Sequence, residues 1–188
     1  MHIRDAVHQA YRSRWGEPAR RAEFRGADGL LAEVLKWDSA ATGEGITLYT
    51  TVGACDYVID EAHPGHRIEL FLGLRPERDE IASPLAALAL YPKRKGVMLG
   101  HGHTIPSDEP FWPGTEMHHF VISRGLVPVI ETVSIGNGIH VEFLQATPIF
   151  ESELAYKKQH GFEVLRSHWQ QHGVQYWNPD RGAEPATP

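Results

Sequence analysis

Asn137-Gly138 stands between two runs rich in β-branched and apolar residues, LVPVIETVS (126–134) before it and IHVEFLQATPIF (139–150) after it. This dipeptide favours a two-residue turn in which both residues take positive φ, and such a turn joins antiparallel strands. The flanking runs are therefore predicted to be strands, and the chain must contain a sheet. Within the second run, Val141, Phe143 and Gln145 fall on one side, and Leu144 and Ala146 on the other.

Other segments carry the same signal. ITLYTTVG (46–53) is rich in strand formers. RIELFLGL (67–74) sets Ile68, Leu70 and Leu72 against Arg67, Glu69 and Phe71, which predicts a strand with one buried face and one partly covered face. LLAEVLKW (30–37) and TEMHHFVIS (115–123) are further candidates, with TGEG (42–45) and HPGH (63–66) as turns. Helical spacing of Ile3, Val7, Ala10 and Tyr11 predicts a helix over 3–14, ended by WGEP. Ser83-Pro84 reads as an N-cap and first helical residue of a second helix running to Pro92, with Lys93, Arg94 and Lys95 after its end. ESELAYKKQHGFEVLRSHWQQHG reads as two helices broken at Gly161, and RGAEPATP (181–188) as a polar, frayed tail. Strands and helices do not alternate as βαβ units, so the fold class is α+β.

The chain has 188 residues, 41% hydrophobic and 22% charged, with a net charge of −6. That length favours one domain. The acidic balance argues against a nucleic-acid footprint, and no apolar run approaches the roughly 20 residues of a membrane helix. The charged N-terminus has no signal-peptide core, so a soluble cytoplasmic protein is expected. Cys55 is the only cysteine; it can form no internal disulfide and is expected to be a buried structural residue.

The most enzyme-like feature is His101-Gly102-His103. On a strand, i and i+2 face one way, so the pair could offer two imidazoles to one metal ion. With Glu109, and with His118, His119 and His140 as further donors, it partly resembles the first histidine motif of the cupins, although Gly96 lies too near and Glu109 comes late. This is the metal-dependent-enzyme alternative. The simpler reading makes Gly100 and Gly102 a turn whose histidines bond to backbone. Walker A, GxGxxG, HExxH and GxSxG sequences are absent. The carboxylate pairs Glu151/Glu153 and Asp79/Glu80 read as solvated faces or helix starts. Phe111 and Trp112, stiffened by Pro110 and Pro113, are either a binding loop or a plug for the core.

The segment ALALYPKRKGVMLGHGHTIPSDEPFWPGTEMHHFVIS resembles the suppressor-of-fused (SUFU) family in its compact bacterial form. The matching features are a helix ending at Tyr91 before basic residues, the turn Gly100 to Pro106, and the segment Trp112 to Thr115. TLYTTVG, RIELFLGL, VEFLQATPIFESEL and GFEVLRSH resemble further family segments, so the likeness runs from about Gly16 to Arg181. Asn178 to Arg181 stands near a family Asp-x-x-Arg-like ending, with asparagine in place of the acid. The resemblance implies an α+β fold with a mixed β-sheet and packed helices in one domain over 1–181. It implies no enzymatic activity, cofactor or metal. It also implies a non-enzymatic protein-binding role, capturing another protein or an extended peptide by strand addition. For bacterial members it implies immunity against a partner toxin. Tyr91, Gly100, His101, Gly102 and His103 fall where it places a groove wall, with Phe111 and Trp112 beside them.

Overall fold

The structure is a computed structural model that describes residues 2–58, 62–125 and 129–184. Among these, helix α1 (Ile3–Trp15) leads into strands β1 (Arg20–Arg25) and β2 (Leu31–Trp37), a short helix α2 (Ser39–Thr42), then β3 (Thr47–Val52) and β4 (His66–Leu74). Helix α3 (Ala82–Lys95) follows, then β5 (Thr104–Pro106), β6 (His119–Ser123), β7 (Val133–Gly136) and β8 (Ile139–Ile149), with α4 (Glu151–His160) and α5 (Phe162–Gln171) last. The strands form one mixed sheet in the order β1-β2-β3-β4-β8-β6-β5, with β7 also on β8. The pair β4–β8 is parallel and the others are antiparallel. The α+β expectation is met.

The hairpin forms as its turn chemistry requires: Asn137 and Gly138 take φ 52 and 75 between β7 and β8. Leu126, Val127 and Pro128 of the candidate strand 126–134 lie outside the described residues. Strand β4 departs from expectation, because Arg67 and Glu69 on its second face are buried too. The reason is that helices cover both faces of the sheet. On one face α3 lays Leu85, Leu88 and Ala89 in the same core as Ile68, Leu70 and Leu144. On the other, α1 stacks Val7, Tyr11 and Trp15, one helical turn apart, with Trp37, Phe71 and Phe143. Burying each such side chain contributes about 1.5–3 kcal/mol. At the far end of that face, α4 and α5 pack Leu154, Leu165 and Trp169 with Val121 and Ile149.

Two helix boundaries move. Helix α3 begins at Ala82, entered through the 3-10 turn Asp79–Ile81, so Ser83 lies inside it and does not cap it. Pro92 is within the helix, and Lys93, Arg94 and Lys95 form its last turn, closed by Gly96 at φ 63. Proline has no N–H to donate one turn back, but burial of Pro92 and Leu90 holds the helix through that gap. Of the tail, residues 181–184 are described and are more ordered than their composition suggests, since Arg181 and Glu184 bond to α4 and α5; residues 185–188 lie outside the described residues. Glu69 is fully buried: its carboxylate accepts from Thr51 Oγ1 (2.6 Å), Gly53 N (2.7 Å) and Cys55 N (3.1 Å), tying β4 to the turn after β3.

Candidate binding site

The GHGH segment is a turn that precedes β5. His103 N donates to Gly100 O (3.0 Å), and Gly102, at φ 80, donates to Ile122 O (2.7 Å). The Ile122 amide returns a bond to His103 O (2.8 Å), so the turn is sewn to β6. His101 Nδ1 accepts from Arg124 N (3.0 Å), which leaves the proton on Nε2 to be donated to Glu163 Oε1 at 2.6 Å. Both ring nitrogens are thereby committed. His103 Nδ1 lies 3.2 Å from Gly100 N and 3.1 Å from Met98 O, within its own turn. The two rings do not converge, because a glycine at positive φ replaces the strand geometry that would have aligned them. The cupin-like HxH site is not formed. Glu109 is exposed and makes no bond to either ring among the described contacts.

Phe111 and Trp112 are core residues. Both are buried, and the Phe111 ring lies 4.2 Å from that of Phe120. Two flanking prolines stiffen a plug, not a displayed loop; Trp112 shows only at the wall of a shallow pocket of about 340 Å³ shared with Arg78 and Arg181. Tyr91 is half-buried against the same core. Within the Val97 to His103 stretch, Val97 and Met98 are exposed at 40% and 42%.

A larger cleft opens where the α1 layer and the α4–α5 layer fail to meet over the sheet. Its volume is about 580 Å³, within the range of ligand-binding sites. Leu48 and Phe71 come from the sheet floor, and Trp169, Val174, Tyr176 and Trp177 from α5 and the segment after it. The polar groups are Gln145 and Ser123, paired across β8 and β6, with Thr147, Gln170, Glu44, Arg124 and Arg166 around them. Each arginine is held by a carboxylate, Glu142 and Glu163 respectively. His101 braces this rim from behind, packing edge-on at 5.2 Å to Phe162 and accepting from the Arg124 amide, while Gly100–His103 stand outside the cleft lining. Sequence reasoning reached His101 but missed the cleft aromatics. The clustering of Trp169, Tyr176 and Trp177 in an otherwise polar segment was the available signal.

Cys55 is buried, and that burial beside Glu69 pushes its thiol far above the usual range, away from thiolate chemistry. Glu153 is not a solvated helix start. It is fully buried, and it accepts the Phe150 amide at 2.9 Å and both Nη atoms of Arg181. Glu151 remains exposed, bonded to His119 at 2.6 Å. Asp79 joins Lys36, Arg20 and Tyr49, and these partners hold its carboxyl below the usual value against the opposing effect of burial. No helix among the described residues is long and apolar enough to cross a membrane.

The family profile of Suppressor of fused protein (SUFU) matches residues 28–182. A SUFU homologue from Neisseria gonorrhoeae has a similar fold, with TM-score 0.72 at 19% identity over 96% of this chain and 95% of that one. The Sufu–Fu complex structure gives TM-score 0.65 at 18% identity, covering 96% and 89% of the two chains. Drosophila Suppressor of Fused gives 0.58 at 16%, covering 96% of this chain and 49% of that one. A search of curated proteins finds no match. The mixed sheet with helices on both faces thus defines a SUFU-like fold. The chain belongs to the SUFU family.

Proposed function

We propose that this chain is a non-enzymatic protein-binding domain of the SUFU type, with residues 1–181 acting as one unit, that takes an extended segment of a partner protein. The observation that carries this reading is the open apolar cleft, whose Phe162 and Arg124 are braced from behind by His101 of the GHGH turn. A floor of sheet side chains and walls of aromatic rings suit alternate side chains of an extended peptide, the arrangement that gives peptide grooves their specificity. Tyr91, with Val97 and Met98 exposed after it, lies at the end of α3 against the opposite face of the sheet and takes no part in the cleft lining. Phe111 and Trp112 belong to the core on that same α3 face, away from the cleft lining. The Sufu–Fu complex, a structure of a SUFU protein with another protein, supports the class of partner. The net charge of −6 suits a basic partner.

The biological setting we propose is neutralisation of a toxin in a bacterial cytoplasm. The test is co-expression of this chain with the product of each adjacent reading frame. Growth rescue from one toxic product, with a stable complex by size-exclusion chromatography and light scattering, is the expected result. Tyr176→Ala, at an exposed rim position, should weaken that complex. Absence of both rescue and complex would overturn the immunity reading, and a complex indifferent to rim substitutions would overturn the cleft.

A further inference from the structure

Two trios of side chains bring two histidines and a carboxylate together, with ligand atoms within 4.8 Å of one another: His118/His119/Glu151 and His168/His172/Glu184. Proton bookkeeping separates them. A histidine that binds a metal through Nε2 must carry its remaining proton on Nδ1, and that proton needs an acceptor or water. In the first trio, His118 meets the condition by donating from Nδ1 to Glu116 O at 2.9 Å. His119 does not, because its Nδ1 is buried with no partner. Moving a proton there would cost about 1–3 kcal/mol of unpaired desolvation.

The second trio has no such obstacle. His168 and His172 are one turn apart at the end of α5, with rings stacked at 4.0 Å. His172 Nδ1 lies 2.9 Å from His168 O, so it donates there and leaves Nε2 with a free lone pair. His168 Nε2 lies 2.9 Å from Glu184 Oε1, and its Nδ1 is not among the buried unpartnered atoms. Glu184 is itself held in place: its carbonyl accepts from Trp169 Nε1 (3.0 Å) and its amide points at Glu153 Oε1 (3.4 Å). Zinc–ligand bonds of about 2.0–2.1 Å at a tetrahedral centre set ligand atoms about 3.3 Å apart. The His168–Glu184 pair need part by only a few tenths of an ångström to admit the ion.

We infer that His168, His172 and Glu184 form a site for a Zn²⁺-like divalent cation, with water completing the coordination. The donor set of two imidazoles and one carboxylate selects zinc, nickel or copper over magnesium. The ion would clasp the 181–184 segment to α5, beside Trp169 on the cleft wall. The inference stands independently of partner binding.

The test uses the full, untagged chain. Isothermal titration with ZnCl₂ should show one equivalent bound, with no comparable binding of MgCl₂. Cobalt substitution should give visible absorption bands of a low-symmetry site. His172→Ala, at an exposed position, and Glu184→Gln should each weaken zinc binding about tenfold or more, while His118→Ala leaves it unchanged. Circular dichroism of each variant confirms that it is folded. No zinc binding, binding that survives both variants, or binding lost on His118→Ala would overturn the assignment.

Discussion

Arg181 and Glu153 meet as a two-pronged ion pair sealed from water: Nη1 lies 2.6 Å from Oε1 and Nη2 2.8 Å from Oε2, with side-chain exposures of 5% and 0%. The guanidinium lies over the rings of Phe150 and Trp169 at 5.1 and 5.7 Å and bonds to Pro148 O. One pair therefore fastens the C-terminal segment, the end of β8 and α5. Removing either partner strands a buried charge. Arg181→Ala or Glu153→Ala should each cost about 3–5 kcal/mol, against a typical total of about 5–15 kcal/mol. Urea unfolding at pH 7 reads this as a lower midpoint, and a loss under about 1 kcal/mol would show that the pair is not needed.

Glu69 gives the fold a pH signature. Burial raises its carboxyl pKa, outweighing the opposing bonds from Thr51, Gly53 and Cys55. The native state then holds a proton that the unfolded chain has released, so stability falls as pH rises from about 4.5 to the raised native value and is level above it. Glu69→Gln should flatten that slope. Its amide can donate to Thr51 Oγ1 while its oxygen keeps the Gly53 and Cys55 bonds. Urea midpoints measured between pH 4.5 and 8 for the two proteins test this; parallel curves would contradict it.

Gly65 and Gly138 approach so closely that a methyl group at Gly65 would meet Gly138 O inside contact distance. His140 N also donates to Gly65 O at 2.9 Å, joining the turn before β4 to the β7–β8 hairpin. Gly65→Ala should therefore cost about 1–3 kcal/mol. Thermal unfolding is a sufficient measurement, and an unchanged midpoint would show that the two turns move apart freely.

His101 and His103 anchor a turn, so replacing both with alanine should leave zinc titration of the protein unchanged. The His101–Glu163 contact is partly exposed, and the hydrogen bond from His101 is the leading cause of the lowered Glu163 pKa. Its loss should cost no more than about 1 kcal/mol. Loss of stoichiometric zinc binding in the double variant would restore the HxH reading.

Local chemistry announced most of the elements. The helix at 3–14, the Asn137-Gly138 hairpin and the break at Gly161 all follow from contacts or dihedrals within a few residues, and the structure has them. Strand β1 was not legible, because RRAEFR is charged and exposed and becomes a strand only through pairing with β2. The burial of Glu69 and Glu153 was hidden for a related reason. Their partners lie 14 to 18 residues away for Glu69, and Arg181 lies 28 away for Glu153. Of the cleft, the sequence singled out no lining residue and came nearest at His101, which packs against Phe162. The cleft arises from the gap between two helical layers, and a gap leaves no pattern in the residues that border it.

Parallel pairing of β4 with β8 also orders events during synthesis. When His66–Leu74 has left the ribosome, β1 to β4 can zip into a meander, but the edge of β4 must wait for Ile139–Ile149 to be made. Until then that strand offers unpaired amides and carbonyls to any neighbouring chain, and closing so long a loop is slow. The nascent protein thus carries its most aggregation-prone surface at what will become the middle of its sheet.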